Sequence, residues 1–69
     1  MPLSMVRAGE TGYIRKITGK DKICKHLAEL GFVAGEKVTV VSEFNGNLIL
    51  SIKNSRVALD KSMANRILV

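Results

Sequence analysis

Residues 27–40 read Leu-Ala-Glu-Leu-Gly-Phe-Val-Ala-Gly-Glu-Lys-Val-Thr-Val, and the change of period inside this stretch decides the fold. Upstream and into it, Ile23, Leu27 and Leu30 fall at i, i+4 and i+7, one apolar stripe on a helix of about nine residues. Asp21 is placed to cap the start of that helix by accepting bonds from its first N–H groups. With Leu30 as C-cap, Gly31 takes the left-handed C′ position and Phe32, at C″, folds back on Leu27. From Glu36 the period becomes two, so the chain turns from helix to strand within six residues of Leu30.

Working outward, Val38, Val40 and Phe44 alternate with Thr39, Val41 and Glu43, and Asn45-Gly46 signals a hairpin. A two-residue loop would pair Phe44 with Asn47 and put Val40 and Leu50 on opposite faces. A three-residue loop, Phe44-Asn45-Gly46, pairs Val40 with Leu50 and Val38 with Ile52, so the sequence predicts the three-residue loop. The next turn is expected at Asn54-Ser55, which sets Ile52 opposite Val57 and Leu50 opposite Leu59. Asp60 can cap a single helical turn, Lys61-Ser62-Met63-Ala64, before a last short strand over residues 66–69. Upstream, the Gly9-Glu10-Thr11-Gly12 turn precedes a first strand over residues 13–18, ended by Gly19. Five short strands sharing one apolar face, with one inserted helix, favour a small closed β-barrel over an open sheet, since closure removes exposed edges. One domain is expected over residues 1–69.

Composition narrows the function classes. Lys and Arg number 11 against 6 Asp and Glu, a formal charge of +5. Arg15, Lys16, Lys20, Lys22 and Lys25 face only Asp21 in sequence, a local excess of +4 that suits an acidic partner, a phosphate backbone or an anionic surface. The same lysines also serve to keep a small apolar protein soluble. Cys24 is the single cysteine, so no disulfide framework is available and a reducing compartment is expected. Apolar runs such as Leu48-Ile49-Leu50 fall far short of the roughly 20 residues of a membrane-spanning helix. The first residues lack the pattern of a secretory signal, and a cytoplasmic protein is expected.

No catalytic constellation is present. Cys24 and His26, at i and i+2 of the helix, point about 200° apart and cannot grip one ion. Adding Glu29 gives His26 one neighbour, still short of the three or four ligands zinc takes. No metal or cofactor is therefore expected, and Cys24 reads as a small core residue. Gly9, Gly12, Gly31 and Gly35 lack the order of a phosphate-cradling loop and read as turn chemistry. Binding of nucleic acid by a small basic barrel needs stacking platforms as well as charge. Only Tyr13, Phe32 and Phe44 are aromatic, and Phe32 is assigned to the core.

Leu3, then Gly9-x-x-Gly12-x-Ile14, Leu27-x-x-Leu30-Gly31-Phe32-x-x-Gly35-x-x-Val38-x-Val40, Val57-Ala58-Leu59 and Ala64-x-x-Ile67-x-Val69 together resemble the FeoA family across nearly the whole chain. The resemblance implies an SH3-like five-stranded β-barrel with one short inserted α-helix. It also implies a non-enzymatic accessory protein that assists FeoB, a ferrous iron transporter with a cytosolic GTPase domain, by protein–protein contact. Related SH3-like domains form the C-terminal part of metal-dependent repressors; a complete repressor is not expected at this length. The chain departs from many relatives at Asn45-Gly46-Asn47, where a Gly-Asp-Pro-like loop is common, and at Asp60, where a basic residue is. The family supplies no catalytic residues. The expected contact face, from charge clustering, comprises Arg15, Lys20, Lys22 and Lys25. The alternative is a small basic barrel that binds nucleic acid. Val41 and Ile49 on the outer face offer a surface for self-association.

Overall fold

A computed structural model describes all residues, 1–69. Six strands and two helices follow a 3₁₀ turn at Leu3–Met5: β1 (Thr11–Tyr13), β2 (Lys16–Ile17), α1 (Asp21–Glu29), β3 (Lys37–Phe44), β4 (Asn47–Ile52), β5 (Ser55–Asp60), α2 (Lys61–Ala64) and β6 (Ile67–Leu68). The expected first strand is split into β1 and β2. β1 joins an antiparallel sheet in the order β1-β3-β4-β5, whereas β2 pairs with β6 in a second sheet. The two sheets are linked through the Ile14-Arg15 corner, where Ile14 N–H donates to Glu36 O at 2.9 Å and Arg15 N–H donates to Leu68 O at 2.7 Å. The arrangement is SH3-like with the helix inserted between β2 and β3. The barrel is not closed by one continuous ladder, because β5 pairs only with β4.

The β3–β4 hairpin corrects one expectation and keeps its consequence. The loop has two residues: Phe44 pairs with Asn47, and Asn45 (φ 50) and Gly46 (φ 80) form the turn. Val40 nevertheless lies opposite Leu50, and Val38 opposite Ile52, because a bulge between Val40 and Ser42 adds one residue to β3. The bulge also turns Phe44 away from the Val38–Val40 face, and its side chain is largely exposed. The second hairpin turns one residue earlier than expected, at Lys53 (φ 49) and Asn54 (φ 66). Ile52 thus faces Ser55, Leu50 faces Val57 and Leu48 faces Leu59. This is a shift of two positions from the expected pairing, so every side chain keeps its face.

At the decisive junction, Phe32 N–H donates to Leu27 O at 2.9 Å and Gly31 N–H to Ala28 O at 3.0 Å, with Gly31 at φ +106. These are the two bonds of a Schellman motif. At the other end the N-cap of α1 is Lys20, not Asp21, and no side chain caps it. Asp21 is instead the first helical residue, where its negative charge still favours the helix dipole. Asp60 caps α2 as expected, accepting from Met63 N–H at 2.8 Å.

Twelve residues form the core, all apolar: Leu3, Ile14, Leu27, Phe32, Val38, Val40, Leu48, Leu50, Ile52, Leu59, Ala64 and Ile67. Of the expected helix stripe, Leu27 is buried and Ile23 half-buried, while Leu30 is 37% exposed at the helix end. The two ends of the chain lie side by side. The Met1 ammonium donates to Val69 O at 2.7 Å, Val69 N–H donates to Met1 O at 2.8 Å, and Pro2 bridges Leu68. Gly12 lets this pair pass close to β1, since a Cβ there would lie 3.1 Å from Val69 Cβ.

Candidate partner-binding surface

Helix α1 buries one stripe, and the opposite face is consequently charged. Lys22, Lys25, His26 and Glu29 fall at i, i+3, i+4 and i+7, so they share the solvent side of the helix, and all four are exposed. Cys24 lies between the two faces, half-buried, with Sγ 3.7 Å from Ile17 O and 3.8 Å from Gly19 O. These are weak S–H contacts that anchor the helix start to β2.

The structure places three of the four sequence-predicted contact residues on this element. Lys20 is its N-cap, Lys22 lies in its first turn and Lys25 in its second. Arg15 stands apart, exposed at the corner between β1 and β2. The protein's two ion pairs lie elsewhere, Lys53–Glu36 at 3.6 Å and Lys61–Glu43 at 3.0 Å. Arg15, Lys16, Lys20, Lys22 and Lys25 thus enter no ion pair, and the positive end of the α1 dipole adds to their field.

One cation was missed from the sequence. Arg66, 46 positions beyond Lys20 in the chain, lies across Gly19: a Cβ at Gly19 (φ +119) would fall 2.8 Å from Arg66 Nη1. Thr18 fastens the same segment, its N–H and hydroxyl both donating to Arg66 O, at 2.8 and 3.2 Å. Only the Gly19-Lys20 step hints at such an approach, since a glycine before a helix is equally a turn residue. The resulting surface can hold an anionic partner. No three His, Cys, Asp or Glu side chains come together anywhere in the chain to hold a metal ion.

A second exposed surface is the outer face of the four-stranded sheet. Glu36, Lys37, Thr39, Ser51, Lys53 and Asn54 line a shallow groove of about 320 Å³ there. Thr11 and Thr39 share a 2.8 Å hydroxyl bond, and Tyr13, 63% exposed, stands opposite Lys37. The polar positions alternating with Val38, Val40, Leu50 and Ile52 are its sequence signature.

Comparison with known proteins places this architecture. The family model described as the FeoA domain matches residues 1–69. A candidate Fe(2+) transport protein A of Methanocaldococcus jannaschii is 31% identical over 68 residues, which covers 99% of this chain and 83% of that protein. The FeoA of Stenotrophomonas maltophilia, a prokaryotic SH3 domain protein crystallised with zinc and described as a candidate ferrous iron transport activating factor, superposes with a TM-score of 0.87. It is 31% identical, over 100% of this chain and 88% of that one. An iron uptake regulatory protein, also FeoA, superposes with a TM-score of 0.90 at 26% identity, over 97% and 91% of the two chains. A manganese-dependent transcriptional repressor shares the fold over 39% of its length, with a TM-score of 0.86 at 24% identity over 97% of this chain.

Proposed function

The chain belongs to the FeoA domain family, and from that premise we propose that it is a regulatory accessory of ferrous iron uptake. It works in the cytoplasm, by contact with the cytosolic domain of a FeoB-type transporter, and catalyses no reaction itself. The observation that carries this reading is the family match over residues 1–69. The contact face is the cationic start of α1, Lys20, Lys22 and Lys25, flanked by Arg15 and joined by Arg66. Its unpaired charges suit an acidic docking surface and give the contact a dependence on ionic strength.

The test is retention of the purified protein on the immobilised cytosolic domain of FeoB from the same organism, with and without guanine nucleotide. Specific retention that weakens as salt rises is expected, and a nucleotide dependence would identify the transporter state that is bound. Absence of retention in every nucleotide state overturns the reading. A second reading, binding of single-stranded nucleic acid, is favoured by the exposed Tyr13 beside Lys37. It requires steeply salt-dependent binding of oligonucleotides, measured by fluorescence anisotropy, that is lost on Tyr13→Ala.

A further inference from the structure

Strands β1 and β5 are the two edges of the four-stranded sheet, and β5, with six residues against three, is the longer. The Lys53-Asn54 turn closes on Ile52 and Ser55 as a hydrogen-bonded pair, and bonded pairs alternate from there. Ser55, Val57 and Leu59 therefore bond toward β4. The N–H and C=O groups of Arg56 and Ala58, and the N–H of Asp60, point away from the sheet. No backbone bond outside the ladders and helices reaches them. Edges of this kind are commonly blunted by proline, lysine or a bulge. β5 has no proline, lysine or bulge, and its two exposed charges, Arg56 and Asp60, are of opposite sign and so can pair across a two-fold axis: it reads Ser-Arg-Val-Ala-Leu-Asp and pairs with β4 without irregularity.

We propose that this edge pairs antiparallel with β5 of a second copy of the chain, about a two-fold axis at Ala58. The register follows from charge. With Ala58 on the axis, Arg56 stands opposite the second copy's Asp60, and Asp60 opposite its Arg56, so two ion pairs flank a small central residue. Centring the axis on Arg56 or Asp60 sets like charges against each other; centring it on Val57 sets Arg56 against alanine, and centring it on Leu59 sets Asp60 against alanine, so neither register pairs the two charges. The same register sets half-buried Val57 against the second copy's Leu59 on the core side. Four backbone bonds use the free N–H groups of Ala58 and Asp60, and two four-stranded sheets become one. β1 is the opposite edge of each sheet, and Lys20, Lys22 and Lys25 belong to α1 and not to the strand that pairs.

Sedimentation velocity from micromolar to millimolar protein tests this. A monomer–dimer equilibrium is expected. Ala58→Pro removes an N–H that no intramolecular bond uses and is expected to abolish the dimer. Arg56→Glu is expected to raise the dissociation constant at least about tenfold by turning both pairs repulsive. In a Cys24→Ser background, Ala58→Cys is expected to cross-link on mild oxidation, since directly opposite bonded residues sit about 5.5 Å apart, within disulfide reach. The control Ser51→Cys, in the middle of the sheet, is expected not to. A monomer throughout the range, or a dimer indifferent to both Arg56→Glu and Ala58→Pro, overturns the proposal. If Ala58→Pro fails to fold, Arg56→Glu and the cross-link decide it.

Discussion

At the scale of single residues, Gly31 carries more of the fold than any charged side chain. Its φ of +106 lets Phe32 reach back to Leu27, and both of those side chains are fully buried. Space is not the constraint, because a Cβ at Gly31 would meet its nearest neighbours at ordinary contact, 3.7 to 3.9 Å away. The constraint is the backbone conformation. Gly31→Val is therefore expected to cost about 1–2 kcal/mol, lowering Tm by roughly 4–8 °C for each kcal/mol, measurable by thermal denaturation. This junction is legible in sequence because Leu30-Gly31-Phe32 act on one another locally. Arg66 is not legible, because its approach to Gly19 depends on β2 pairing with β6, a long-range event that no short motif announces. Lys20 and Asp21 fall between these cases. Both sit at the helix start, but which of them is the cap depends on a single residue of backbone geometry.

Among the elements, the β3–β4 hairpin separates what pattern dictates from what it leaves open. The apolar pattern demands Val40 opposite Leu50, and that pairing is present. Two constructions satisfy it: a three-residue loop, or a two-residue loop with one extra residue in β3. The pattern alone cannot choose, and Asn45-Gly46 is itself a strong two-residue turn. The second hairpin shows the same indifference, since a displacement of two positions leaves all faces unchanged. Its true turn begins at Lys53, a residue type that rarely marks positive φ. A consequence can be checked. Deleting one of the adjacent valines, Val40 or Val41, removes the bulge while the remaining valine still faces Leu50 and Ser42 still faces Ile49. The variant is expected to fold with that cross-strand contact intact by NMR, and to lose only the local bend in β3. Loss of the Val–Leu50 contact would show that the bulge is required for the pairing itself.

For the molecule as a whole, the Cα radius of gyration is 10.5 Å, close to the roughly 11 Å expected of a compact domain of this length. A small strand-rich domain with one inserted helix was legible because alternation, turns and the helix stripe agree, and its SH3-like form was what the family resemblance implied. The unpaired β5 edge was not, since closure of a barrel depends on how strands curve in space, not on their period. The candidate contact face was legible as charge and as exposure. Its occupant is not encoded in the same way, because cationic side chains on a helix suit any acidic surface. The expected outcome of the combined reversal Lys20→Glu, Lys22→Glu and Lys25→Glu is loss of binding to the FeoB cytosolic domain, with the salt dependence abolished and the fold retained. Retained binding with unchanged salt dependence would place the contact elsewhere on the molecule.

The meeting of the two chain ends has a mechanical consequence. Met1 and Val69 exchange two bonds, Pro2 bridges Leu68, and Leu68 in turn pairs with Lys16 of β2. A pull applied through the two termini loads these links in sequence, one after another, as a zipper opens. It does not shear a whole ladder at once. Under tension the β2–β6 sheet is the first to part, which frees the segment carrying Arg66 from Gly19 while the four-stranded sheet is still intact. Forced unfolding is set by how fast the structure opens, and here the opening starts at the seam where the chain begins and ends.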